Sequence, residues 1–146
     1  MVISKDFKEF IRLLNENKVR YLVVGGYAVA FHGYPRYTKD LDLWIWLDKD
    51  NAKRLIEVLD NFGFGSLNFS IDDFLNPDNV IQLGSPPNRI DLLTGLDGVD
   101  FETCYSAKLE LKTDNIIVNF IDLENLKRNK KASGRLQDLA DLEKLE

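Results

Sequence analysis

Asp40 and Asp42 stand two apart in the run from Asp40 to Trp46, Asp-Leu-Asp-Leu-Trp-Ile-Trp, whose alternation predicts a strand. Residues two apart on a strand project from one face. Both carboxylates therefore share a face with Trp44 and Trp46, while Leu41, Leu43 and Ile45 point to the other. Two carboxylates so close repel each other. A divalent cation between them relieves that repulsion, because Mg²⁺ takes hard oxygen ligands and is usually held by one or two carboxylates plus substrate phosphates. Asp91, isolated between Ile90 and Leu92 in another predicted strand, supplies a third oxygen ligand if the two strands are neighbours, and such a set suits two-metal phosphoryl chemistry. Taken alone, Asp-Leu-Asp is more often the mark of solvated aspartates at a strand end, and Asp91 could simply pair with a cation such as Arg89.

The elements that must position these residues can be read around them. Tyr21 to Val24 forms a short apolar run ended by Gly25-Gly26, and the segment from Tyr27 to Gly33 reads as a short helix. A Gly-Gly junction between strand and helix lets the backbone approach a ligand and turns N–H groups toward an anion; it is also an ordinary tight turn. Upstream, Phe7, Phe10, Ile11 and Leu14 recur at helical spacing behind Ser4, an N-cap, so residues from about 5 to 17 read as an amphipathic helix. Asp48 caps a helix from about 50 to 62, closed by Gly63. Ser70 to Phe74 suggests one helical turn. Val80 to Leu83 and Arg89 to Leu93 predict a hairpin around Ser85-Pro86-Pro87-Asn88. A short helix follows Asp100, then a strand pair of Ala107 to Leu111 and Ile116 to Ile121 around Thr113-Asp114, and two final helices after Asp122 and Ser133-Gly134. No internal repeat, low-complexity tract or linker interrupts this order. One α/β (α+β) domain with a mixed sheet over residues 1–146 accommodates all of it.

The chain carries 19 basic and 24 acidic residues, a net charge of −5. That balance argues against a broad nucleic-acid-binding surface, which needs clustered Lys and Arg, and leaves small anionic ligands held by a metal or a few placed cations. Cys104 is the only cysteine, so no internal disulfide forms, as suits a reducing, cytoplasmic setting. No stretch approaches the ~18 uninterrupted apolar residues of a membrane span. Cys104 lies in apolar company and reads as a small buried hydrophobe.

Val24-Gly25-Gly26 followed by Asp40-Leu41-Asp42, fourteen residues after Gly26, resembles the signature of the nucleotidyltransferase-fold superfamily, the DNA polymerase β-like group. The whole stretch from Gly25 to Leu43 is similar to bacterial and archaeal AbiEii-like nucleotidyltransferase proteins, as is the segment from Lys131 to Asp141. The resemblance spans nearly the whole chain. It implies a mixed sheet flanked by helices, with Gly25 and Gly26 contacting the triphosphate and Asp40, Asp42 and Asp91 binding Mg²⁺ or Mn²⁺. It further implies a nucleoside triphosphate substrate, with Lys131, in the loop before the last helix, reaching a phosphate.

Arg36 and Thr38, just before the first aspartate, could touch phosphate or base, or only shape the loop. Arg135 and Asp138, three apart on a helix, are placed to pair with each other. His32, the only histidine, reads as a packing or hydrogen-bonding residue. Sheet packing is the plain role for Trp44 and Trp46, with base stacking a second one for Trp44. The expected activity is transfer of a nucleoside monophosphate to a hydroxyl-type acceptor, RNA, protein or small molecule. Because fold does not establish activity, the competing expectation is a nucleotide-binding module, or a toxin–antitoxin component that needs a protein partner. Glycosyl transfer through an Asp-x-Asp site is disfavoured, since no dinucleotide-like βαβ series precedes it.

Overall fold

The computed structural model describes residues 3–34, 38, 40–85 and 88–146. Helix α1 (Lys5–Glu16) leads into β1 (Tyr21–Val24), α2 (Gly25–Phe31), β2 (Leu41–Ile45) and α3 (Lys49–Leu59). After an irregular helical stretch come β3 (Val80–Leu83), β4 (Ile90–Leu93), α4 (Phe101–Ser106), β5 (Leu109–Thr113), β6 (Ile116–Phe120), α5 (Leu123–Ser133) and α6 (Leu136–Leu145). The six strands form one mixed sheet in the order β3-β4-β2-β1-β6-β5. The expected mixed α/β architecture is therefore the one observed.

Helix starts follow their caps. Ser4, Asp48, Asp100 and Asp122 each accept a hydrogen bond from the backbone N–H three residues on, satisfying a donor that the first helical turn leaves unpaired. Strand alternation then fixes the two faces of the sheet. Tyr21, Val23, Leu43, Ile45 and Leu92 are all buried, on the face covered by α1. The Tyr21 hydroxyl bonds Asn15 of that helix at 3.1 Å. Asn51 ties α3 to the same end of the sheet: its side chain accepts from the Arg20 N–H at 2.8 Å and donates to the Arg20 and Trp46 carbonyls. The opposite face carries Asp42, Trp44 and Asp91, with Trp44 packed edge-on against Phe101 of α4 at 5.1 Å between ring centres. Packing is thus what Trp44 does.

Three local readings shift. Gly25 and Gly26 are the first two residues of α2 rather than a turn ahead of it. The penultimate strand runs over Leu109–Thr113 instead of 107 to 111, because Asp114 and Asn115 both take the left-handed conformation and place the turn there. The third helix ends at Leu59 and continues as a π-helical and then a 3₁₀ stretch, with Gly63 at φ 106°. His32 Nε2 lies 2.8 Å from the Ile121 carbonyl, the expected hydrogen-bonding role. Burial pushes the Cys104 thiol up to about 12, which keeps it protonated and unreactive. Among the described residues, no helix is long and apolar enough to cross a membrane.

Candidate active site

β1, β2 and β4 lie side by side at the centre of the sheet. Their register sets Val24 opposite Asp42 and Asp42 opposite Asp91. This supplies the condition on which the third carboxylate depended: the two Asp-bearing strands are neighbours, and partners in register share a face. Asp40 stands one residue before β2, with Thr38 Oγ1 donating to its carbonyl at 3.3 Å. Thr38 therefore shapes the approach to the strand. Arg36 lies outside the described residues.

The glycine that follows β1 is fitted to Asp42. Gly25 has φ +67°, and a Cβ built there would come within 2.1 Å of Asp42 Oδ2 and 2.9 Å of its carboxyl carbon. The backbone passes so near the carboxylate that only hydrogen fits, in a conformation L-residues rarely adopt. Gly26 is buried in the first turn of α2. Gly25→Ala is expected to lose about 1–3 kcal/mol of stability from left-handed strain, and to push Asp42 out of place. In an Asp42→Ala background the penalty should shrink, because the two closest contacts are gone. Denaturant unfolding of the four proteins of this cycle measures the coupling.

Burial pushes the Asp42 carboxyl up to about 7, reinforced by the Asp91 charge and a carboxyl–carboxyl hydrogen bond with Asp91, and by the Asp40 charge; Lys130 acts in the opposite direction. Arg89 answers the negative charge on the other side. Its Nε lies 2.9 Å from Asp91 Oδ1, and its Nη2 lies 2.8 Å from Asp40 Oδ2 and 3.1 Å from Asp91 Oδ2. The pairing of Asp91 with Arg89 is thus real, and it extends to Asp40. Among the described residues, no three His, Cys, Asp or Glu side chains stand close enough to hold a metal ion as they are. The donor set nevertheless fits a hard divalent cation. All three side chains offer oxygen, and Asp40 Oδ1 is buried with no hydrogen-bond partner among the described residues. Asp42 sits where burial and two like charges penalise its ionised form, a penalty that a bound cation removes.

Lys131, expected in the loop before the last helix, lies in the last turn of α5. Lys131 is exposed, whereas Lys130 is buried, its Nζ 2.9 Å from Asp138 Oδ1 and 3.2 Å from Asp141 Oδ2. Asp138 also accepts from Arg135 Nε at 2.8 Å, the expected helical pair, and from the Ser133 hydroxyl. Burial works against its charge, but hydrogen bonds from Ser133, Lys130 and Arg135 hold it below the usual carboxylate range. This clamp joins α5 to α6 and brings Lys130 near enough to bias Asp42. The run Lys-Lys offers no signal for which lysine turns inward; the helical phase does, since Leu126 and Lys130 are four apart and both buried.

No protein-family model matches the sequence, and no curated protein matches it significantly. Solved structures do match its fold. A candidate nucleotidyltransferase from Thermotoga maritima is 18% identical, with a TM-score of 0.59 over 94% of this chain and 88% of that one. The lincosamide antibiotic adenylyltransferase LnuA, in a lincomycin-bound structure, is 15% identical, with a TM-score of 0.57 over 99% of this chain and 96% of that one. An antigenic nucleotidyltransferase-like protein from Paracoccidioides brasiliensis is 17% identical, with a TM-score of 0.55 over 96% of this chain and 74% of that one. The chain thus has the fold that these nucleotidyltransferases share.

Proposed function

We propose that the chain is a single nucleotidyltransferase-like domain that transfers a nucleoside monophosphate from a nucleoside triphosphate to a hydroxyl-type acceptor. The hydroxyl oxygen bonds to the α-phosphorus, the bond to the departing pyrophosphate breaks, and the hydroxyl proton passes to a carboxylate. The observation that carries this reading is the row Val24, Asp42, Asp91 across three adjacent strands, with Gly25 closing over Asp42. A Mg²⁺ or Mn²⁺ ion, held by Asp40, Asp42 and Asp91, would supply charge neutralisation for the triphosphate and the leaving pyrophosphate. Gly25 and Gly26, at the start of α2 beside Asp42, are assigned the backbone contact with the triphosphate. The narrower likeness to AbiEii-like proteins rests on the motifs at the two ends of the chain, and LnuA, with lincomycin bound, supports a small molecule as one acceptor class to test.

Asp91 is assigned the proton because it is the ligand outside the Asp-x-Asp strand. Asp91→Asn is expected to lower transfer by about 10²–10⁴-fold while nucleotide affinity falls less than about tenfold, since Asp40, Asp42 and the glycines remain. Label transfer and nucleotide titration on the same variant check this; parallel losses in both would make Asp91 a binding residue only. The reading as a whole is tested by incubating the protein with each labelled nucleoside triphosphate, Mn²⁺ and a cell extract. Label on RNA, protein or a small molecule supports it. Nucleotide binding without transfer to any acceptor would leave a binding module.

A further inference from the structure

Arg89 stands immediately before β4, and its guanidinium holds three of the carboxylate oxygens that a divalent cation would need: Asp40 Oδ2 and both oxygens of Asp91. A guanidinium and a divalent cation cannot share these lone pairs, because the two like charges would sit within a few ångströms of each other in a half-buried site. Arg89 lies at the water-facing edge, its side chain 27% exposed, as is 30% of the Asp40 side chain. Asp91 is only 10% exposed, and Asp42 beside it on the next strand is half-buried. The guanidinium therefore has a path to solvent that the inner carboxylates lack.

We infer that Arg89 is the exchangeable counter-cation of this site: it takes the metal's place between Asp40 and Asp91, and leaves them when the metal arrives. This rests on the metal-dependent reading above and adds a consequence to it. In the metal-free protein Arg89 holds Asp40 and Asp91 in register and offsets their repulsion. For the same reason it competes with a lone metal ion, which must break three charge-assisted hydrogen bonds to enter. A triphosphate arriving with the metal changes that balance, since a released guanidinium is shaped to pair with phosphate oxygens. Metal and nucleotide should then assist each other's binding.

The competition has a sign that a merely structural arginine does not share. If Arg89 only shaped the site, its removal would disorder the ligands and weaken metal binding. If it competes, its removal strengthens it. Mn²⁺ alone is titrated against wild type, Arg89→Met and Arg89→Lys, with the thermal midpoint recorded with and without the ion. The expected result is at least about tenfold tighter Mn²⁺ binding by Arg89→Met, roughly the net worth of one of the three charge-assisted hydrogen bonds that the ion no longer has to break, together with a larger Mn²⁺-induced rise in its midpoint. Arg89→Lys, a point charge that cannot bridge both carboxylates in the same way, should fall between; it carries the test if Arg89→Met does not fold. Equal or weaker Mn²⁺ binding in the variants, with wild type binding the ion, overturns the inference and leaves the metal-dependent reading standing. No Mn²⁺ binding by any of the three, with or without nucleotide, removes that reading and the inference together.

Discussion

Asp42→Asn is expected to abolish nucleotidyl transfer, by about 10³-fold or more, while making the metal-free protein more stable above neutral pH. Asp42 is half-buried opposite Asp91, with Asp40 two residues away, and its carboxyl is pushed up to about 7 by desolvation first and by those two carboxylates next. An unfolded aspartate titrates near about 3.9. Between these two values the folded protein keeps a proton that the unfolded chain has lost, so stability falls as pH rises through the window and levels off above about 7. Asparagine holds no such proton and carries no charge. Its variant should therefore show a flatter stability profile from pH 5 to pH 8, and at pH 8 should exceed wild type by on the order of 2 kcal/mol. Metal inverts the relation, because a ligating carboxylate must be ionised: below pH 7, wild-type Mn²⁺ affinity should climb about tenfold per pH unit. Thermal midpoints across this range, in EDTA and in Mn²⁺, measure both slopes. An Asp42→Asn protein that loses stability at pH 8, or a wild type whose metal-free stability is flat across the window, would contradict this account of the site.

The elements that could be read from the sequence are those whose signals are local. Ser4, Asp48, Asp100 and Asp122 mark helix starts because an N-cap is a bond over three residues. The alternation from Leu41 to Ile45 marks a strand and separates a carboxylate face from an aliphatic one. That Asp42 and Asp91 are partners was conditional on strand order, which depends on the whole sheet and not on either strand. Arg89 illustrates the same limit. Beside Asp91 in sequence it is visible as a partner, but its bond to Asp40, 49 positions away, exists only because β2 and β4 are neighbours. The irregular segment after Leu59 was unreadable for another reason. It keeps helical turns but changes their pitch around Gly63, and a change of pitch leaves no periodic trace.

The choice between Lys130 and Lys131 turns on one residue of helical phase, and it yields the largest stability effect expected in this chain. One step along a helix rotates a side chain by about 100°, enough to move a lysine from the α5–α6 interface into water. Lys130 is 6% exposed and bonded to Asp138 and Asp141, themselves 7% and 0% exposed. Lys130→Met preserves the length of the side chain and deletes the charge, leaving two buried carboxylates without their common cation. Breaking a buried pair in this way costs about 3–5 kcal/mol, whereas Lys131→Met, at an exposed position, should stay within about 0.5 kcal/mol of wild type. The deficit of Lys130→Met should shrink as pH falls below about 4. Asp138 is held below the usual carboxylate range by its partners, Lys130 among them, so their contribution is present above the unfolded value and is lost as protons bind. Lys130→Met also removes a cation that favours the ionised form of Asp42; the fall in metal-free stability attributed to Asp42 should accordingly extend to higher pH. Chemical denaturation of both variants at about pH 3 and pH 7, with label transfer measured at pH 7 alongside, separates the roles. A stable Lys130→Met would sever the clamp from the fold, and a stable Lys131→Met that no longer transfers nucleotide would support the phosphate-contacting role expected of the exposed lysine.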